Sequence, residues 1–334
     1  MSQPSRQVQA FEGRAMGSPL RLSVVGLAFE EAAEAWREAV QEFEAAEQAM
    51  SRFRDTSDVT IVNRAAGSGS CLPVDRRLGR ALAASDRAGR LTDGRFDARV
   101  LGDLERLGYA GAVLEGPGHL PVEPLPAGDD RTARRTGGEA APARRWLIAD
   151  PRASRVGVTC PIDLGGIGKG LTLRWAWHRL ERTLGARGGG AMLEAGGDLV
   201  AGGPAPQEGP WVIAIEDPAG GADPIATVAV PEGAVATSSI LVNRWTAADG
   251  LPVHHLLDPR TGEPGGAGLL AVTVAGSDPA WSEVWSKSLF LSGPDGIAGL
   301  ARARGLAAWW VRDDGGLEMT PAARARTTWV AAEA

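Results

Sequence analysis

The stretch Pro161-Ile162-Asp163-Leu164-Gly165-Gly166-Ile167-Gly168-Lys169-Gly170 decides how this chain is read. It lies between a hairpin-like pattern, Trp146 to Ile148 with Arg155 to Thr159, and a helical pattern from Leu171 to Leu184. Backbone amides at a helix N-terminus point at whatever lies ahead of them, and glycine lets an anion approach closely. The spacing fits neither G-x-G-x-x-G nor a P-loop, which needs Ser or Thr after the lysine. Two readings stay open, a phosphate site and a glycine-rich turn that lets strand and helix pack closely. In the first, Asp163 accepts hydrogen bonds from a ligand or holds a metal-bound water, and Lys169 neutralises a phosphate.

Outward from this loop, strand and helix patterns mix with hairpins rather than alternating as βαβ units, so the expected class is α+β. Leu20, Leu22 and Val24 alternate as a strand after a turn at Gly17-Ser18-Pro19, and Phe29 to Ser51 reads as a long amphipathic helix. A polar turn is expected at Asp55 to Asp58, and a second helix over Arg76 to Leu91, stopped at Thr92-Asp93-Gly94. Downstream, Met192 and Leu193 read as a strand, Ala195 to Asp198 as a turn, and Trp211 to Pro218 as a strand. Residues 111–145 shift to Gly, Pro, Ala and Arg without periodicity. The expected organisation is an N-terminal α+β half over 1–110, a linker over 111–145, and a C-terminal α+β half over 146–334.

At 334 residues with 44% hydrophobic content the chain can bury a substantial core. A net charge of -6 without a basic stripe argues against nucleic acid as a partner. The opening residues carry no apolar signal segment, so a cytoplasmic address is expected, and no apolar run is long enough to span a bilayer. Cys71 and Cys160 either pair or stay free, and two thiols exclude metal-thiolate chemistry. Of 35 basic residues only Lys169 and Lys287 are lysine. They are either surface survivors of an arginine bias or places where a compact ammonium is needed.

Two further constellations stand out. The turn Ala195-Gly196-Gly197-Asp198 is either hairpin chemistry or part of a site. Ala236-Thr237-Ser238-Ser239 precedes His254-His255-Leu256-Leu257-Asp258-Pro259-Arg260-Thr261-Gly262, which holds two of the four histidines. In an extended segment His254 and His255 face opposite sides, so one can be structural while the other enters a site. A histidine there can take a proton from a hydroxyl, with a carboxylate fixing its tautomer. The alternative is a surface pair on a loop.

Taken in order, AMGS (15–18), MSRFRDTSDVTIVN (50–63), GRFDARV (94–100), DLGGIGKG (163–170), EAGGD (194–198), ATSS (236–239), HHLLDPRTG (254–262) and SEVWSKSLFLSG (282–293) resemble one family over nearly the whole chain. That family is the FAD:protein FMN transferases, long labelled thiamine-biosynthesis lipoproteins. The resemblance implies two intimately packed α+β halves with a flavin in the cleft between them. It implies FAD contacts at Met16, Phe53, Phe96, Asp97, Asp163, Lys169, Gly196, Gly197, Asp198, Thr237, Ser238 and Thr261. It implies catalysis by His255 with Asp258, His255 activating the hydroxyl of an acceptor protein that carries a Ser/Thr-Gly-Ala-Thr-like stretch. The reaction implied is attack of that hydroxyl on the FMN phosphorus of FAD with release of AMP, normally assisted by Mg²⁺.

The metal positions depart from the family pattern. The resemblance matches them to a backbone oxygen at Gly166, an Asp that is here Glu283, and a Thr or Asp that is here Lys287. Glu283 and Lys287 stand one helical turn apart and are placed to pair. Lys287 is therefore expected to take the place of the metal, making Mg²⁺ doubtful. The alternative function is a flavin-binding protein or an FAD hydrolase with weakened transfer.

Overall fold

The computed structural model describes residues 6–109, 146–150, 154–241 and 243–331, and the expected linker at 111–145 lies outside them. The α+β class is as the sequence implies. Eight antiparallel strands form one sheet in the order 8–15, 18–25, 190–195, 198–202, 233–239, 269–276, 307–312 and 317–319. The N-terminal hairpin is thus hydrogen-bonded to strand Gly190–Ala195 across the expected boundary between the halves.

The pleat alternates the sheet's side chains between two different cores. Leu20, Leu22, Val24 and Leu193 face the helices Phe29–Met50 and Gly168–Arg187. The first helix turns Ala32, Ala35, Ala39, Phe43 and Ala46 inward at three- and four-residue spacing, and small alanines let it lie close to Leu173, Ala176 and Leu180. On the other face Val25, Leu199, Ala201 and Val235 pack under a three-stranded sheet of 211–215, 226–230 and 327–330.

Local sequence explains the element ends. Asp75 caps helix Arg76–Leu91 by accepting from Arg77 N at 2.7 Å, and left-handed Gly188 ends Gly168–Arg187. Two boundaries differ from the sequence reading. The expected polar turn at Asp55 to Asp58 passes at Asp58 into a helix over Asp58–Arg64 that the sequence reading does not include, capped by Ser57, which accepts from Thr60 N. The glycine-loop helix begins at Gly168 rather than Leu171, so Lys169 and Gly170 belong to its first turn. Gly170 is required there, since a Cβ would stand 2.6 Å from Ala280 Cα and Pro279 O of helix Pro279–Phe290. No helix among the described residues is long and apolar enough to cross a membrane.

Candidate functional site

Turns at one end of the sheet, the first turn of helix Gly168–Arg187 and one face of helix Pro279–Phe290 converge on a small polar region. The Met16-Gly17 and Gly196-Gly197 turns lie side by side, because Leu20 pairs with Ala195 and Gly196 N donates to Pro19 O at 3.0 Å. Gly196 sits at φ 59°, and a Cβ there would meet Ser18 Oγ at 2.6 Å and Lys169 Nζ at 3.3 Å. Met16 also holds a positive φ of 50°, unusual for a side-chain-bearing residue, and its backbone N–H donates to Glu47 Oε2 at 3.1 Å. Its methyl end lies over Gly168.

Behind these turns the charges are organised in pairs. Lys169 Nζ lies 3.4 Å from Asp198 Oδ2, while Asp198 Oδ1 accepts from Thr237 N at 3.1 Å. Thr237 Oγ1 bonds Thr273 Oγ1 at 2.9 Å, joining the neighbouring strand. Glu283, 1% exposed, accepts from Gly170 N at 2.8 Å through Oε2 and from Lys287 Nζ at 3.3 Å through Oε1. The first of these satisfies a helix N-terminal amide that has no partner within its own helix. Ser286, between the two on the same helix, bonds Ser238 at 2.8 Å.

The site's protonation follows from this arrangement. Asp198 raises the pKa of Lys169 against the lowering effect of burial. Burial pushes the Glu283 carboxyl up, opposed by Lys287 and Lys169. His255 is drawn down to about 3 by burial first and by Lys287 second, with His254 and Lys169 adding to the fall. It is therefore neutral at pH 7. Its Nδ1 faces Asn243 O at 3.3 Å, and a carbonyl can only accept, so Nδ1 bears the proton and Nε2 carries the lone pair, with no hydrogen-bond partner for it among the described residues. That is the tautomer of a general base. His254 is buried, accepting from Leu256 N through Nδ1 and bonding Gly265, so the two histidines are not a surface pair.

An aromatic rim stands in front. The Arg52 guanidinium lies 4.3 Å from the Phe53 ring centre and 5.1 Å from that of Tyr109, and Tyr109 stacks on Trp245 at 5.0 Å. Arg52 Nε is 2.7 Å from Asp163 Oδ2, an ionic contact in which the N–H finds no acceptor in line. Asp163 also accepts from Gly165 N at 2.7 Å, which shapes the glycine loop.

The structure therefore brings Met16, Asp163, Gly166, Lys169, Gly196, Asp198, Thr237, Ser238, Glu283 and Lys287 into one neighbourhood, with His255 within reach of both lysine charges. Other expected residues are engaged elsewhere. Phe96 is buried behind Gly166, Asp97 spends its carboxylate on Arg99, and Phe53 is 55% exposed at the rim. Asp258 is held by Arg260 through both carboxylate oxygens, and among the described residues no hydrogen bond links it to His255. Burial pushes its carboxyl up and Arg260 pulls it down, with a net lowering. Thr261 braces the same turn, donating to Asp258 O and accepting from Glu263 N. Arg52, Tyr109, Trp245, Ser286 and Asn243 escaped sequence reasoning. Tyr109 carried one signal, as the only tyrosine in the chain.

The implied Mg²⁺ positions can be tested against these contacts. Lys287 Cδ lies 3.4 Å from where a Gly166 Cβ would stand, so the lysine runs from Gly166 to Glu283 and fills the gap between the two implied donors. Both Glu283 oxygens already accept hydrogen bonds. Two unit charges ~4 Å apart interact by about 4 kcal/mol at an effective dielectric of 20, and a divalent ion beside an ammonium doubles that repulsion. No group of three or more His, Cys, Asp or Glu among the described residues can hold a metal ion. The residues present do not fit Mg²⁺.

Comparison with known proteins gives a consistent result. A family model described as the ApbE family matches residues 16–310. FAD:protein FMN transferases from Salmonella typhimurium (26% identical, covering 93% of this chain and 86% of the relative) and Klebsiella pneumoniae (27%, 93% and 86%) are similar in sequence. Among solved structures, the ApbE protein of Thermotoga maritima superposes with a TM-score of 0.78 at 26% identity over 96% of this chain and 99% of that one. The apo form of the Pseudomonas stutzeri flavinyl transferase ApbE gives 0.74 at 27% identity over 98% and 99%.

Proposed function

The chain belongs to the ApbE family, and on that premise we propose that it binds FAD and transfers the FMN part to a threonine or serine hydroxyl of an acceptor protein, releasing AMP. The observation that carries this reading is the meeting of two paired ammoniums with a neutral histidine whose Nε2 is free. Fixed cations suit a diphosphate, and a neutral imidazole suits a hydroxyl that must lose its proton.

In this reading the diphosphate lies against the first turn of helix Gly168–Arg187, near Lys169 and Lys287. His255 Nε2 takes the acceptor hydroxyl's proton as the oxygen attacks the FMN phosphorus. The bond from that phosphorus to the bridging oxygen breaks, and AMP leaves with the electron pair. Asn243 O holds the imidazole in the required tautomer. Met16, Gly196, Gly197, Asp198, Thr237 and Ser238 shape the pocket, with Asp163 and Arg52 at its front. Asp258 and Thr261 act through the turn they brace rather than by touching His255. Phe96 and Asp97 support the glycine loop and the short helix beside it. No step passes through Mg²⁺, because Lys287 stands at one of its implied positions and both oxygens of Glu283, at another, already accept from Gly170 N and Lys287 Nζ.

The test is mass spectrometry of a peptide bearing a Thr-Gly-Ala-Thr stretch after incubation with FAD and the full chain. A peptide gaining one FMN at the threonine supports the reading. Saturable FAD binding with no modified peptide at any acceptor concentration, while a known transferase modifies the same peptide, argues against it.

A further inference from the structure

The lysines are scarce and concentrated. In a chain with 35 basic residues only Lys169 and Lys287 are lysine, and both stand at this site. Each rests on a carboxylate that is almost fully buried, Asp198 at 3% and Glu283 at 1% exposure. Those carboxylates are themselves fixed by backbone amides of other elements, Thr237 N for Asp198 and Gly170 N for Glu283. The two lysines stand on separate helices that meet here: Gly170, next to Lys169, donates its N–H to Glu283 Oε2 at 2.8 Å, and Lys287 donates to Oε1 of the same carboxylate at 3.3 Å.

An ammonium has three donors, and each lysine gives one to its carboxylate. Among the described residues the others have no side-chain acceptor and can turn to a ligand. An ammonium is a compact point charge where a guanidinium is a planar fork, so the two are not interchangeable beside Gly166, where Lys287 Cδ lies 3.4 Å from the position of a would-be Cβ.

We propose that the positive charge facing the FAD diphosphate is the chain's own: Lys287, set between Gly166 and Glu283, acts with Lys169, set on Asp198, in place of a divalent ion. The proposal rests on the flavin reading above and deepens it. Two fixed ammoniums supply the same total charge as one divalent cation, but they sit at two points and are each half-committed to a carboxylate. Binding of the diphosphate should therefore be independent of magnesium, and the acceptor reaction should proceed in a chelating buffer.

The experiment titrates the full chain with FAD, following flavin fluorescence, in EDTA and in excess Mg²⁺. The expected Kd agrees within about twofold between the two buffers, because charge contacts with a lost or gained partner move affinity by roughly tenfold or more. Lys287→Thr should bind roughly 10- to 100-fold more weakly in EDTA and recover on adding Mg²⁺. A second readout needs no variant: in the presence of saturating FAD, Mn²⁺ electron paramagnetic resonance should show no ion bound by the native chain beyond what FAD alone binds. A native affinity that rises tenfold or more with Mg²⁺, or one tightly held Mn²⁺ per native chain, overturns the proposal while leaving the flavin reading intact. No saturable FAD binding in either buffer overturns both.

Discussion

The back of the site and its front are built on opposite principles. At the back, Lys169, Asp198, Glu283 and Lys287 are partly or wholly buried; Lys169, Asp198 and Glu283 are each held by a partner from another element, and Lys287 by Glu283 one turn away on its own helix. At the front, Phe53, Arg52, Tyr109 and Trp245 stack in a row that is open to solvent at Phe53. A buried charge must be paired or it costs several kcal/mol, so the back is rigid by necessity. An aromatic rim offers area without such constraint. The difference teaches where each kind of specificity resides: charge and proton transfer behind, ring contact in front.

The comparison breaks first at His255. Its replacement by Ala should lower transfer roughly 10²- to 10⁴-fold with FAD affinity little changed, since a general base acts on the acceptor. Steady-state transfer rates beside a fluorescence titration decide this, and a parallel loss of affinity would make His255 a cofactor contact. Next comes Lys169→Met, which removes a charge at the back and should weaken FAD binding roughly 10- to 100-fold. An unchanged Kd would move the diphosphate away from the glycine-loop helix.

The neighbouring histidine sharpens the distinction between structure and site. His254 titrates at about 4 in the fold instead of 6.5, because burial disfavours its cation. The unfolded chain therefore binds the proton first, and stability falls as pH drops from about 6.5 towards about 4, by up to about 1.4 kcal/mol per pH unit for this group. Urea midpoints across that range should show the slope, and His254→Gln should lessen it. If the slope were unaltered, the buried imidazole would not be its source. The smallest effect belongs to the rim: Phe53→Ala should weaken FAD binding by about 0.5–1.5 kcal/mol, the worth of one aromatic contact. A loss as large as that of Lys169→Met would erase the contrast between front and back.

Much of the back was legible because its residues sit in dense motifs. The glycine run 165–170, the Gly196-Gly197 turn and the His254-His255 pair each carry an unusual local composition, and scarcity pointed to the lysines. What the motifs did not disclose was pairing. Lys169 meets Asp198 only because two strands and a helix bring them together, and Glu283 meets Gly170 across 113 positions. The rim was less legible still. Trp245 is fixed by donating Nε1–H to Leu107 O, a contact 138 residues apart, and no spacing encodes it. Asp258 shows that closeness in a motif does not fix a contact. It stands three residues from His255, yet its carboxylate satisfies Arg260 and the local turn. Ser57 ends the expected polar turn and also caps the helix that follows, a second role that a lone hydroxyl does not disclose in sequence.

The most direct test counts products. The full chain is incubated in EDTA with FAD and the threonine-bearing peptide, and AMP and FMN-peptide are quantified by mass spectrometry. One AMP per FMN-peptide, without added magnesium and abolished by His255→Ala, is the result predicted. AMP released without modified peptide, or transfer that begins only when Mg²⁺ is restored, would contradict it.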